Sequence, residues 1–98
     1  MESINLTIGS VVFEYADFDA EHDVLFMRIG EAEPSEAEDT PEGHAIHYAP
    51  DTDRIVGLTL MNPQYILKRE GRLKVTLPDA VAVWSAGDMA DAFAAVSA

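Results

Sequence analysis

Cysteine is absent from this chain of 98 residues, and lysine nearly so, with Lys68 and Lys74 the only two. Without cysteine there is no disulfide framework, no thiolate nucleophile and no thiolate metal site, so any metal would rely on histidines and carboxylates. Glycine-rich phosphate loops are missing as well, since neither Gly-x-Gly-x-x-Gly nor a Gly-Lys-Ser/Thr ending occurs. Five serines include no Gly-x-Ser-x-Gly elbow and no evident Ser-His-Asp set. Even the longest apolar runs, such as Ala80 to Trp84, are far short of the roughly 20 residues that span a bilayer. Met1 to Asn5 lacks the basic start of a secretory leader. Together these absences predict a cytoplasmic, non-catalytic chain with no cofactor and no membrane partner.

What is abundant is negative charge. There are 18 Asp and Glu against 6 Lys and Arg, a formal net charge of -12. Such a field repels phosphate backbones and anionic lipid, so nucleic acid is not an expected partner. Many surface carboxylates with few lysines also suit a high-salt habitat, where counterions screen self-repulsion. The imbalance is uneven along the chain. Up to Pro50 there are 12 acids and one base, Arg28; from Asp51 onward there are 6 acids and 5 bases. Lys68, Arg69, Arg72 and Lys74 fall within seven positions and predict a basic strip on an acidic body, the ordinary reading being a solvated hairpin.

The hydrophobic pattern has mostly period two, which predicts strands. Ile4, Leu6 and Ile8 alternate with polar neighbours, and Gly9-Ser10 permits a turn before Val11 to Tyr15. Ala16 to His22 reads as a hairpin connection, and Asp23 to Ile29 places Leu25, Met27 and Ile29 on one face. Residues 31 to 42 hold six acids, two prolines and no apolar side chain larger than alanine, which predicts an exposed, mobile loop. A strand resumes over His44 to Tyr48 and pairs antiparallel with Ile55 to Met61, where Val56, Leu58 and Leu60 share a face. Asn62-Pro63 breaks the ladder, and Gln64 to Leu67 fits either a helical turn or an extended lead-in. Arg69-Glu70-Gly71 reads as a turn before Arg72 to Leu77, with Leu73, Val75 and Leu77 inward. Ser85 is suited to cap a helix over 85 to 97, with Met89, Phe93 and Val96 on its apolar stripe. The expected fold is a single α+β domain over residues 1 to 98: an antiparallel meander of five or six strands closed by one C-terminal helix.

Tyr15-Ala16-Asp17, Asp23 to Ile29, the acidic stretch, Gly43 to Tyr48 and Ile55 to Leu60 form an ordered set of short motifs. Over about residues 12 to 61 this set resembles the small prokaryotic family called domain of unknown function 2283. Ala16 intervenes between Tyr15 and Asp17, and Thr59 stands where that family often has Glu, so no role for that acid is carried over. The resemblance implies an antiparallel sheet module without assigned catalysis. Some relatives resemble the antitoxin half of two-gene toxin systems, which implies by analogy a small basic toxin as partner.

Two groups of side chains invite chemistry. Asp17, Asp19, Glu21 and Asp23 alternate like the start of a calcium loop, but the sixth position is His22 instead of Gly and the twelfth is Arg28 instead of Glu. An acidic turn is the expected reading. His44 and His47 lie three apart, which on a strand points them to opposite faces, so a zinc ion would need His22 from another hairpin. Asp17, Asp19, His22, His44 and His47 are therefore weak metal candidates, with no metal expected. The apolar inventory says more. The strands at 11 to 15, 24 to 29 and 55 to 61 are apolar on both faces, more than one helix covers, which predicts a second copy or another protein over the uncovered face. Trp84, Met89 and Phe93 are the expected anchors of the helix side, and Phe26, Tyr48 and Tyr65 the expected interface aromatics. The functional expectation is a homodimeric, non-catalytic interaction module. The alternatives are an acidic inhibitor of a basic toxin, or a small-molecule or metal-binding domain.

Overall fold

The computed structural model describes residues 2 to 50 and 52 to 95. Eight strands and two short helices follow in the order β1 (Glu2–Ile8), β2 (Val11–Asp19), β3 (Val24–Arg28), β4 (Glu36–Asp39), β5 (Ala45–Tyr48), β6 (Ile55–Met61), α1 (Pro63–Glu70), β7 (Leu73–Leu77), β8 (Ala80–Trp84) and α2 (Ala90–Ala94). The fold is α+β with antiparallel pairing throughout, as the alternation predicts, but it is not one meander. Six strands form a sheet in the order β1-β2-β3-β6-β5-β4, and β7-β8 form a separate hairpin.

The strand order follows from side-chain chemistry. β3 and β6 carry apolar residues on both faces and pair at the centre, joining two three-stranded meanders. β4 is Glu-Ala-Glu-Asp, exposed at all four positions, and sits at an edge. This corrects the expectation of a loop over 31 to 42. Pairing of β4 requires backbone groups, not apolar side chains, and β5 supplies them in register from Glu36↔Tyr48 to Asp39↔Ala45. The segment is tied at both ends. Glu33 forms an ion pair of 2.7 Å with Arg54, while Thr40 N–H donates to the His44 carbonyl and Thr40 Oγ1 accepts from His44 N–H.

One face of the large sheet is covered. Phe13, Phe18, Leu25, Leu58 and Leu60 pack there against Leu73, Val75 and Met89 in one core, each fully buried or nearly so. Each such side chain contributes roughly 1.5–3 kcal/mol of transfer free energy. The inward positions of β3 and β7 are those predicted; in β6 Leu58 and Leu60 face the core as expected, but a bulge opposite His47 and Tyr48 turns Ile55, and not Val56, toward it. Trp84 and Met89 are buried and Phe93 is half-buried, its ring edge-on to Phe18 with centroids 5.0 Å apart. The β7-β8 hairpin and both helices share the covering that was expected of one helix.

Three local expectations are corrected. β2 runs on to Asp19, so the connection to β3 is only Ala20 to Asp23. Pro63 at the helix start and Gly71 in the left-handed region (φ 79°) bracket an α-helix of eight residues, so Arg69 and Glu70 end α1 and do not form a turn. The C-terminal helix is shorter than 85 to 97. Ser85 and Asp88 cap each other through Ser85 N–H to Asp88 Oδ2 (2.8 Å) and Asp88 N–H to Ser85 Oγ (3.1 Å), which holds a turn ahead of Ala90. The chain then leaves the helix at Ala95, whose carbonyl accepts Phe18 N–H at 2.7 Å; Val96, Ser97 and Ala98 lie outside the described residues. Among the described residues no helix is long and apolar enough to cross a membrane.

Candidate binding cleft

The six-stranded sheet has two dissimilar ends. At one, polar groups close on each other. Asp23 takes a left-handed conformation (φ 53°) in the β2–β3 turn, and its carboxylate accepts Gln64 N–H and Tyr65 N–H, both at 3.1 Å. It thereby serves as the N-cap that Asn62 does not provide to α1. His44 is 1 % exposed, and its Nδ1 accepts Met61 N–H at 3.1 Å, which places the proton of the neutral ring on Nε2. Burial lowers the His44 pKa, partly opposed by Glu42. Glu42 accepts Thr76 N–H at 2.9 Å and Thr76 Oγ1–H at 2.6 Å, fastening the β4–β5 turn to β7. Its burial would raise its pKa, but these hydrogen bonds and one from Thr40 outweigh that and hold it below the usual carboxylate range.

At the other end the polar groups surround a cleft of about 690 Å³, a size typical of ligand sites. Ile8, Val11, Ile55, Leu77 and Tyr48 supply apolar surface, and Glu36, Glu38, Asp53 and Asp79 stand exposed around it. Three turns converge here: β1–β2, the segment leading into β6, and β7–β8. Gly9 (φ 58°) makes the first approach close, because a Cβ on it would lie 2.9 Å from the Cβ of Ala80. Burial raises the Tyr48 pKa, reinforced by Glu38, Asp53 and Asp79, so the phenol stays neutral amid the acids. Among the described residues no lysine, arginine or histidine lines the cleft. None of the four acids has an ion pair or side-chain hydrogen bond among the described residues. The arrangement suits a cation on an apolar stem and rejects an anion.

The residues singled out from sequence are dispersed. Asp17 and Asp19 alternate on the face of β2 turned away from the core, and Asp19 is occupied by His22, with Nδ1 2.9 Å from Oδ2. That hydrogen bond, the largest influence, holds the Asp19 pKa low. His44 lies in the interior, whereas His47 is on the opposite face, its Nε2 2.7 Å from Thr59 Oγ1. Among the described residues no three His, Asp or Glu group to hold a metal ion. Tyr48 lines the cleft. Phe26 and Tyr65 lie apart from it, 44 % and 59 % exposed. Lys68 and Arg69 occupy the last turn of α1, where cations complement the helix dipole, and Arg72 and Lys74 follow, all four exposed. Sequence reasoning missed the quartet of Glu36, Glu38, Asp53 and Asp79. Its members come from three segments spread over more than forty positions, so no spacing motif links them.

Comparison with known proteins finds no family whose model matches this chain, no matching curated protein and no matching solved structure.

Proposed function

We propose that this chain is a non-catalytic, cytoplasmic protein-interaction module whose working surface is the acidic cleft, and that its partner presents a basic segment. One observation carries the reading: four carboxylates without cationic partners among the described residues surround a cleft that has an apolar lining. Left empty, such a set repels itself; a lysine or arginine whose stem lies against Ile55 and Leu77 and whose head meets Glu38 or Asp53 relieves that repulsion. The long-range field of the -12 chain steers such a partner toward it. An acidic inhibitor of a basic toxin, suggested by the resemblance to domain of unknown function 2283, is one instance of this class.

The test is calorimetric titration with a lysine-rich peptide at low and high salt, on the wild-type chain and on E36Q/E38Q/D53N/D79N. Binding that weakens with salt and drops at least tenfold in the variant supports the cleft. Equal binding to both proteins moves the contact elsewhere on the acidic surface and overturns the reading.

Homodimerisation is a second reading, favoured by the uncovered face of the central strands. Phe26 and Met61 lie diagonally across the β3–β6 pair, 44 % and 41 % exposed. Light scattering should then give twice the monomer mass for the wild type and the monomer mass for Phe26→Asp. A wild-type monomer at every concentration would sink the dimer and leave the cleft untouched.

A further inference from the structure

We infer that β4 accepts an added strand: an extended partner segment pairs with its open edge and sends every second side chain, lysine or arginine, into the cleft. The inference rests on the cleft reading above and specifies how its partner is held.

Backbone geometry carries the argument. Thr40 N–H donates to the His44 carbonyl at 2.8 Å, and the β4–β5 register continues without a shift through Glu38↔Ile46 to Glu36↔Tyr48. In an antiparallel ladder the direction of N–H and C=O alternates along a strand. Residues 36, 38 and 40 therefore point their backbone groups toward β5, and Ala37 and Asp39 point theirs away from the sheet. The other exposed edges differ. β1, at the far edge of the large sheet, packs on β8; Thr76 N–H, on the outer edge of β7, is occupied by Glu42.

β4 is also positioned for addition. Glu36, Ala37 and Glu38 all line the cleft, so a strand laid against this edge borders the cavity along its length. Side chains of neighbouring strands share a face with period two. Those beside Glu36 and Glu38 enter the cleft, and those beside Ala37 and Asp39 stay on the opposite face. Charge complementarity fixes the occupant: bases at alternate positions meet the glutamates, with Asp53 and Asp79 across the opening. The ties at Glu33–Arg54 and Thr40–His44 hold the edge in place before binding, so little of it has to be ordered. Main-chain pairing supplies affinity and the alternating pockets supply selectivity, as in other cases of strand addition.

The probe is an end-capped heptapeptide alternating threonine with lysine, compared with the same peptide N-methylated at the amides that would face β4. Ala37→Pro is the protein variant. It removes the outward N–H and leaves the donors toward β5 intact, a substitution edge strands accept. Strand addition predicts that the wild type binds the plain peptide about tenfold or more tightly than either the N-methylated peptide or Ala37→Pro does. It also predicts slowed hydrogen exchange at the Ala37 and Asp39 amides of the wild type. Equal binding in all three cases, lost only in E36Q/E38Q/D53N/D79N, overturns strand addition and leaves the cleft reading standing. Failure of the plain peptide to bind the wild type overturns both. The N-methylated peptide decides the matter even if Ala37→Pro fails to fold.

Discussion

The two ends of the six-stranded sheet use the same residue types to opposite effect. At the closed end, the Asp23 carboxylate accepts two helix N–H groups, Glu42 accepts two donors from Thr76, and His44 accepts Met61 N–H. At the open end, Glu36, Glu38, Asp53 and Asp79 line a cleft and have no ion pair or side-chain hydrogen bond among the described residues. A carboxylate saturated by backbone donors is part of the fold. Carboxylates that line a cleft without such donors are not used by the fold.

This contrast is tested most strongly in the core that separates the ends. Leu58→Ala, at a fully buried position of β6, should destabilise the chain by about 2–5 kcal/mol in urea unfolding, through lost transfer energy and the cavity left behind. At the closed end, Asp23→Ala removes both acceptors of α1 and a residue type that tolerates its positive φ. A loss of about 1–2 kcal/mol is expected, with faster hydrogen exchange at the Gln64 and Tyr65 amides. A loss near zero would mean that this carboxylate does not act as the helix cap.

Acid should act on the closed end next. The His44 pKa is lowered, so the unfolded chain takes up its proton first: stability is complete above about pH 6.5 and falls as pH drops below it. The lowered His47 pKa acts in the same direction. Glu42 is also lowered, so its contribution is present above the usual carboxylate range and is lost as pH falls through its folded value. Melting temperature should therefore decline from pH 7.5 to pH 5.5, and His44→Asn, which keeps an acceptor for Met61 N–H, should flatten that decline. An unchanged slope in the variant would remove His44 as its source.

The smallest effect belongs to the open end. E36Q/E38Q/D53N/D79N should leave stability unchanged or raise it by a few tenths of a kcal/mol, since surface charges interact weakly in water. Its signature is spectroscopic. Tyr48 should titrate at lower pH than in the wild type, because Glu38, Asp53 and Asp79 reinforce its raised pKa. An unshifted ultraviolet titration would show that these acids do not act on the phenol.

Much of the fold was legible wherever side chains alternate against a core. Leu25 and Met27, Leu58 and Leu60, and Leu73, Val75 and Leu77 point inward as their spacing requires, whereas a bulge in β6 exchanges the expected roles of Ile55 and Val56. β4 was illegible because its pairing uses only backbone and its side chains have no apolar member beyond alanine. The helix boundaries were misread for a related reason. Ser85 caps a turn instead of the helix expected to follow, and the cap of α1 comes from Asp23, some forty residues earlier. Of the cleft, only Tyr48 was singled out beforehand, and as an interface aromatic.

The sequence by itself determined the charge, the lack of thiol chemistry, the antiparallel strands and most of the core, because composition and period two act residue by residue. Only the tertiary structure decided that an acidic segment would become an edge strand, that β3 would meet β6, and that acids remote in sequence would surround one cleft. Those outcomes depend on which backbone edges and turns meet in space, and no local pattern encodes that.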